Sequence, residues 1–205
     1  AKVDLEAKGY GPDKKANIAL VSGSGTDANQ TAWEAAIDEL LATDDYNFMV
    51  IKNKDTDVLY PGTDETKVNE ACATLISRMG PGEDQIQGAI ALSSMSTPAL
   101  GAQYEAAASK PDANVITMTG LATPNALASY IEDTSNPLNT GVLWNCMDLG
   151  YLSVQTAAQL CAGQISETDA SINAGRLGEK AIENGEVVLG DALVFDATTV
   201  GDFNY

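Results

Sequence analysis

Short runs of apolar residues alternate with longer amphipathic segments along most of the chain. Behind each run, apolar positions recur at helical spacing, as Trp33, Ile37 and Leu41 do after the first. This alternation predicts right-handed βαβ units and a mostly parallel sheet covered by helices on both faces, an α/β fold of the Rossmann-like kind. The predicted strands are 17–22, 48–51, 88–92, 114–118 and 140–144. The predicted helices are 27–41, 64–79, 97–109, one opening at Pro124, and 148–161.

The two ends of the chain depart from this alternation. Residues 1–16 are polar and contain glycine and proline, which predicts a short helical arm followed by a turn. Near the C-terminus, the apolar runs 187–189 and 192–195 flank a Gly-Asp pair, a pattern typical of a hairpin. A break rich in proline and polar residues at 134–137 is where we expect the chain to leave the main sheet.

Charge and composition exclude several classes of function. The chain has 11 Lys and Arg against 29 Asp and Glu, a net charge of −18, and it is 44% hydrophobic. Such acidity argues against binding to nucleic acids and to anionic membranes, both of which require a basic surface. The chain has no histidine, which excludes Ser-His-Asp and Cys-His catalysis and histidine-containing metal sites.

Three cysteines, Cys72, Cys146 and Cys161, are too few for a disulfide framework or a four-cysteine zinc site. We expect all three to be buried as small apolar side chains. An unpaired cysteine favours a reducing or anaerobic setting. No metal site is expected.

The loops behind the predicted strands carry hydroxyl, amide and carboxylate groups. Ligands of open parallel sheets bind beyond the carboxyl ends of the strands, where these loops lie. Such groups suit a neutral polyhydroxylated ligand, whose hydroxyls both donate and accept hydrogen bonds. A structural interpretation stays open, because strand-end loops are often polar and because Asp27, Thr97 and Asp148 could be helix caps.

One turn favours a different function. Gly23, Gly25 and Ala28 match the G-x-G-x-x-A pattern of dinucleotide-binding turns between a strand and a helix, so a nucleotide-dependent enzyme is an alternative. However, Asn53 closes the next strand where an acidic residue would hold the ribose. Asp27 would lie where the pyrophosphate binds, and two like charges at about 4 Å repel by about 1–4 kcal/mol.

Five segments carry a resemblance to a known family. They are TDANQ at 26–30 with Trp33, GLATPN at 120–125, LWNCMDLGYL at 143–152, AGRLG at 174–178 and VGDFNY at 200–205. Through them, residues 17–205 resemble the C-terminal part of the type I periplasmic sugar-binding proteins of ABC transporters. The similarity is strongest to the branch of rhamnose-binding and autoinducer-2-binding proteins.

The resemblance implies a non-enzymatic protein without a cofactor. It would bind a sugar in a cleft between two Rossmann-like lobes that close about a hinge, and deliver it to an ABC permease. It would work outside the cytoplasm, in the periplasm or as a cell-surface lipoprotein. On this basis we divide the chain into an arm (1–16), a complete ligand-binding lobe (17–139), and a crossover helix with terminal strands normally shared with the other lobe (140–205).

The resemblance also selects candidate ligand-binding residues. Asp27 would accept hydrogen bonds from ligand hydroxyls, and Trp144 and Asn145, at the start of the crossover helix, would contact the ligand. Ala28 replaces a Gln of the autoinducer-2 binders, and Leu92 and Ser94 replace their Pro and Ala, which favours a sugar such as rhamnose. With the strand-end loops included, the predicted ligand-binding residues are Asp27, Asn29, Ser94, Asn125, Trp144 and Asn145.

The chain is shorter than the family, whose members have about 300 residues. We expect a fragment of a longer protein, because the crossover helix would otherwise expose Leu152, Val154, Ala157 and Leu160 and cause self-association. A naturally shortened lobe that serves as an interaction or signalling module remains an alternative.

Overall fold

The computed structural model describes residues 1–205, in which helices and strands alternate as the hydrophobic pattern predicts. The helices are α1 (Lys2–Ala7), α2 (Ala28–Leu41), α3 (Lys54–Asp57), α4 (Glu65–Ser77), α5 (Ser96–Ala106), α6 (Pro124–Glu132) and α7 (Cys146–Cys161). The first five strands are β1 (Ala16–Val21), β2 (Met49–Val50), β3 (Val58–Leu59), β4 (Gly88–Ala91) and β5 (Thr117–Leu121). The last five are β6 (Leu138–Leu143), β7 (Ser171–Asn173), β8 (Glu179–Glu183), β9 (Glu186–Val187) and β10 (Leu193–Asp196).

The main sheet has the strand order β10-β6-β5-β4-β1-β2, and β3 also pairs with β1. The pairs that β1 forms with β2, β3 and β4 are parallel, as are β4–β5 and β5–β6. The predicted fold class, a mostly parallel sheet flanked by helices, is therefore confirmed. Because these strands run in the same direction, the loops that leave their carboxyl ends share one edge of the sheet.

The chain forms two compact units. The first comprises Ala1–Val142 and Val194–Tyr205 and contains the main sheet, and the second is Leu143–Leu193. The second unit consists of α7 and the antiparallel sheet β7-β8-β9. Leu152, which the sequence analysis placed on the exposed face of this helix, is buried at 3%, so that part of the prediction is wrong. The lobe boundaries predicted from the sequence, at 16/17 and 139/140, stay predictions.

The core of the first unit is built on β1, in which all six residues are buried. This strand lies between β2 and β4, and a strand covered on both faces needs a continuous apolar run. The N-terminal arm takes part in the same core. Leu5 of α1 is fully buried and packs in a cluster with Tyr10, Ile18 and Phe48. The helix predicted in the arm is thus a structural part of the unit.

Three predictions about the elements are wrong. The chain does not leave the main sheet at the break 134–137, because β6 follows it and pairs with β5. The fourth strand starts at Thr117 rather than Asn114, because the Asp112 carboxylate accepts hydrogen bonds from the Asn114 backbone and side-chain amides at 2.9 Å and fixes a turn there. The C-terminal hairpin does not form either: β9 pairs with β8, and β10 lies beside β6 in the main sheet.

A sequence feature that we overlooked explains the actual hairpin. Asn184 and Gly185 join β8 to β9 with φ values of 54° and 80°. Asn-Gly is the pair that two-residue hairpin turns favour, because both central residues need positive φ. The Asn-Gly pair therefore selects β8 as the partner of β9.

The cysteine prediction is correct for Cys72 and wrong for the other two. Cys72 is buried, and its burial raises the pKa of the thiol to about 12. Cys146 and Cys161 are exposed, at the two ends of α7, and all three thiols are free. None of the helices has both the length and the apolar character needed to cross a bilayer.

A substitution at Gly120, at the carboxyl end of β5, tests the packing at this edge of the sheet. A Cβ there would lie 2.4 Å from the Ala91 carbonyl oxygen and 2.5 Å from Thr97 Oγ1, so the backbone of β4 would have to move. We expect Gly120→Ala to reduce the free energy of unfolding by about 1–3 kcal/mol, as measured by urea denaturation. Gly11→Ala is the control, because nothing lies within 4 Å of its Cβ position. Equal midpoints for the two variants would contradict this account of the packing.

Candidate functional site

Four of the six predicted ligand-binding residues lie at the carboxyl-end edge of the main sheet. Asp27 and Asn29 follow β1, Ser94 follows β4 and Asn125 follows β5, and these three strands are neighbours. All four residues are exposed. The topology thus brings the predicted polar groups of the first unit to one edge.

Asp27 occupies the N-cap position of α2 but does not cap the helix. Its backbone is extended, as an N-cap requires, yet its side chain makes no capping hydrogen bond. The Asn29 side chain instead accepts the hydrogen bond from the Gln30 backbone N–H at 2.9 Å. The carboxylate of Asp27 is therefore exposed at the edge without the role that an aspartate usually has at this position.

Ser24 fixes the direction of the loop that carries Asp27. The Ser24 hydroxyl oxygen accepts hydrogen bonds from the backbone N–H groups of Thr26, at 3.1 Å, and of Asp27, at 3.2 Å. The loop is thereby folded into a side-chain-to-backbone turn. These bonds set the backbone position of Asp27 and leave its side chain exposed.

Gln30 links the loops behind β1 and β4. Its Oε1 accepts hydrogen bonds from Ser22 Oγ at 2.8 Å and from the Gly23 backbone N–H at 3.0 Å, and its Nε2 donates to the Leu92 carbonyl at 3.0 Å. Only 7% of the residue is exposed. Gln30 is not among the residues predicted from the sequence, although it lies on the same helical face as Trp33 and Ile37, which indicates a buried amide.

Thr97 links the ends of β4 and β5. Its buried hydroxyl lies 2.9 Å from the Leu121 carbonyl oxygen and 3.0 Å from that of Ser93, within the first turn of α5. It is therefore a buried bridge rather than the helix cap considered from the sequence. The neighbouring Ser94 lines a shallow pocket of about 290 Å³ together with Asn69 and Tyr130.

Asn125, in the first turn of α6, holds the C-terminal segment of the chain. Its backbone N–H donates to the Tyr205 carbonyl and its Nδ2 donates to Asn204 Oδ1, both at 3.2 Å. Ring contacts between Phe195 and Phe203, and between Phe203 and Tyr205, hold this segment further. The structure thus gives the Asn125 amide group a structural role.

Trp144 and Asn145 belong to the second unit. Asn145 is the N-cap of α7, and its Oδ1 accepts hydrogen bonds from the backbone N–H groups of Met147 and Asp148 at 3.1 and 3.0 Å. Asp148, considered as a helix cap, instead forms an ion pair with Arg176 at 2.6 Å. Trp144 is partly buried.

Tyr60 is an aromatic residue at the same edge that the sequence analysis did not select. It follows β3, and its ring lies across Gly25, where a Cβ would be 3.3 Å from the ring. Its hydroxyl donates a hydrogen bond to Glu34 Oε2 at 2.8 Å, while half of the residue stays exposed. The ring therefore has a fixed position beside the Asp27 loop.

The edge offers hydrogen-bonding groups and an aromatic ring, but no set of metal ligands. No cluster of three or more Cys, Asp and Glu side chains is arranged to hold a metal ion. Two cavities of the first unit, of about 820 and 610 Å³, lie elsewhere and include none of the predicted ligand-binding residues. The candidate site therefore rests on the exposed groups of the edge and not on an enclosed cavity.

The comparisons with known proteins identify both a family and a fold. A family model described as a periplasmic binding protein domain matches residues 5–165. A search of curated protein sequences finds no match. Solved structures match nearly the whole chain, at sequence identities that establish the fold alone.

Three of these structures show the likeness; two of them are described as ABC-transporter proteins, and the third is LsrB. LsrB from Clostridium saccharobutylicum in complex with AI-2 has a TM-score of 0.81 at 17% identity, over 99% of this chain and 64% of that chain. A solute-binding protein from Clostridium phytofermentas with bound L-rhamnose has a TM-score of 0.78 at 19% identity, over 98% and 61% of the two chains. A sugar ABC transporter protein from Actinomyces odontolyticus has a TM-score of 0.75 at 23% identity, over 99% and 61%. The chain therefore spans less than two thirds of their length.

Gln30 offers a test of how the edge is held. In Gln30→Leu, the Gly23 N–H and the Leu92 carbonyl lose their partner, and Ser22 Oγ keeps only a long bond of 3.4 Å to the Ser24 carbonyl. We therefore expect the free energy of unfolding to fall by about 3 kcal/mol. Gln103→Leu is the control, because this half-buried side chain makes one hydrogen bond, to Asn69, and should lose about 1 kcal/mol. Urea denaturation measures both. A smaller loss for Gln30→Leu than for Gln103→Leu would contradict the proposed linkage.

Tyr60 offers a test by pH. The hydrogen bond to Glu34, then burial and the negative charges of Glu34 and Asp38, raise the pKa of Tyr60 to about 12. Because the raised pKa favours the protonated phenol of the folded state, this stabilisation is present below pH 10 and is lost as the pH rises from about 10 to 12. We expect the tyrosinate absorbance assigned to Tyr60, by subtraction of a Tyr60→Phe spectrum, to titrate near pH 12.

The control for this titration is Glu34→Gln, which should move the midpoint toward the ordinary value for tyrosine. The same Tyr60 midpoint in the variant and the parent would show that Glu34 does not raise the pKa of the Tyr60 phenol.

Proposed function

The chain belongs to the periplasmic binding protein domain family, and on that premise we propose that it is the solute-binding component of an ABC sugar-uptake system. Its ligand is a neutral sugar such as rhamnose or a related sugar-like molecule. The protein catalyses no reaction and uses no cofactor, and it delivers its ligand to an ABC permease from the periplasm or from a cell-surface lipoprotein.

The observation that carries the proposal is the exposed, uncapped carboxylate of Asp27. A carboxylate accepts two or more hydrogen bonds from sugar hydroxyls, and hydrogen bonds to a charged acceptor are stronger than those between neutral groups. Asp27 is held at the edge by Ser24, and its usual capping bond is made by Asn29. The Asp27 carboxylate is therefore available to accept hydrogen bonds from ligand hydroxyls, because it does not cap α2.

The remaining predicted residues supply further polar contacts. Asn29 and Ser94 lie exposed on the same edge, and their side chains provide an amide and a hydroxyl. Asn125 contributes through Oδ1, because its Nδ2 binds Asn204, and Asn145 contributes through Nδ2, because its Oδ1 caps α7. Trp144 offers an indole face for an apolar side of the sugar ring.

Features of this chain favour a sugar over autoinducer-2, although one matching structure contains AI-2 and another contains L-rhamnose. Ala28 has no side chain that could donate or accept hydrogen bonds beside Asp27. Leu92 is only 8% exposed, and its carbonyl accepts the Gln30 side-chain amide, so this backbone group is already used. A pentose or deoxyhexose is the substrate class that we propose.

The nucleotide-dependent enzyme is less well supported. Neither Gly23 nor Gly25 has positive φ, and a Cβ at Gly23 would make only ordinary contacts at 3.8 Å. A Cβ at Gly25 would make a tight contact, 3.3 Å, with the ring of Tyr60, so the small residue fits the ring without reference to a pyrophosphate. The Asp27 carboxylate is exposed at the N-terminus of α2, where it would repel a phosphate.

The test is isothermal titration calorimetry of the protein with pentoses, deoxyhexoses including L-rhamnose, AI-2 and NAD(P). We expect heat from one or more sugars, and we expect Asp27→Ala to abolish that heat. Loss of two charge-assisted hydrogen bonds corresponds to about 3 kcal/mol or more, which raises Kd about a hundredfold.

Asp45→Ala is the matched control, because Asp45 is an exposed aspartate of the same unit that is remote from the edge along the chain. It should bind the sugar as the parent does. Equal affinities of the Asp27 and Asp45 variants would remove Asp27 from the site. Heat from NAD(P) and from no sugar would favour the enzyme, and no heat from any ligand would favour an interaction or signalling module.

A further inference from the structure

Tyr60 directly follows β3, and three contacts fix it at the carboxyl-end edge of the sheet. Its backbone is held because the Ser22 N–H donates a hydrogen bond to the Leu59 carbonyl at 2.8 Å. Its hydroxyl donates to Glu34 Oε2 at 2.8 Å, and its ring lies against Gly25. Half of the residue nevertheless stays exposed.

The carboxylate that holds Tyr60 is only partly satisfied. Its second oxygen, Glu34 Oε1, is buried and has no hydrogen-bond partner. A buried polar atom without a partner reduces the stability of the fold, and such departures from complete pairing are expected at functional sites. The chain therefore keeps an unfavourable group at Glu34 while it holds a half-exposed aromatic ring in place.

The hydrogen bond to Glu34 also determines what Tyr60 can offer to a ligand. The phenol donates its proton to Glu34 Oε2, and this bond is the main reason why the pKa of Tyr60 is raised to about 12. At neutral pH the proton is therefore present but already used. The exposed part of the residue is aromatic surface, which packs against apolar groups.

An exposed hydrogen-bond acceptor lies next to this aromatic surface. Asp27 is two residues beyond Gly25, in the turn that the Ser24 hydroxyl holds, and its carboxylate is exposed. A closed sugar ring has the matching two-sided character, with hydroxyls around its rim and C–H groups on its faces. An open-chain alditol has no such fixed face, because its hydroxyls can turn to either side.

We propose that Tyr60 is a specificity-determining residue of the sugar site. Its ring packs against the C–H face of a closed sugar ring whose hydroxyls bind Asp27, so the site takes pyranoses and discriminates against alditols. This inference rests on the proposed function. Ordering a flexible alditol disfavours its binding in any site, but the contribution of Tyr60 depends on the presence of its flat ring.

The first test is calorimetry with two matched pairs, L-rhamnose with L-rhamnitol and L-arabinose with L-arabinitol. We expect the parent chain to bind at least one of the sugars, and to bind it more tightly than its alditol. Tyr60→Leu keeps an apolar side chain but lacks the flat ring. It should raise the Kd of the sugar about tenfold and that of the alditol by less.

Two variants serve as controls. Tyr60→Phe keeps the ring and should retain the preference for the sugar over its alditol. Tyr46→Leu removes a half-buried tyrosine that precedes β2, at the opposite edge of the sheet, and should leave both Kd values unchanged. If Tyr60 only supported the turn that carries Asp27, Tyr60→Leu would weaken the sugar and the alditol equally, which would overturn the proposal.

The second test is proton NMR of the bound sugar. Because an aromatic ring shields protons that lie over its face, the sugar C–H protons should shift upfield in the parent chain and in Tyr60→Phe. The shift should be smaller in Tyr60→Leu. The same shift and the same Kd in Tyr60→Leu and the parent would overturn the proposal, and loss of binding in Asp27→Ala would then still support the proposed function.

Failure of the probes is also informative. If the parent chain binds neither L-rhamnose nor L-arabinose, the assignment of Tyr60 is overturned. Heat from another sugar of the calorimetric panel would in that case preserve the proposed function, and heat from no sugar would overturn both.

Discussion

The parallel pairing of β1 with β4 and of β4 with β5 is the constraint on which the candidate site depends. It brings three loops together that are far apart in the sequence, and it creates buried polar groups that need partners. Gln30 satisfies those between β1 and β4, and Thr97 those between β4 and β5. Because both residues are buried, the loops are joined by hydrogen bonds that water does not weaken. These bonds therefore hold the backbone of the three loops together behind the exposed polar groups of the edge.

Competition for hydrogen bonds distinguishes the predicted polar residues that the fold already uses from those that it leaves available. Asn145 caps α7 and Asn125 binds the C-terminal segment, so each has one side of its amide occupied. Asn29 accepts the bond that Asp27 would accept as a helix cap. Because Asn29 makes this bond, the Asp27 carboxylate has no structural hydrogen bond to make at the edge. A carboxylate in that situation has the properties needed to recognise hydroxyl groups.

Local patterns in the chain were enough to predict the α/β class, most of the strands and helices, and the edge at which Asp27, Asn29, Ser94 and Asn125 lie. These follow from periodicity and from helix-start residues such as Pro124, which are local properties of the chain. The tertiary structure decided which polar groups are already used, as at Gln30 and Asn125, and which strand pairs with β9. It also placed the Tyr60 ring on Gly25 and buried Leu152. Each of these depends on residues distant in sequence that meet only when the sheet forms, and hydrophobic periodicity carries no information about such partners.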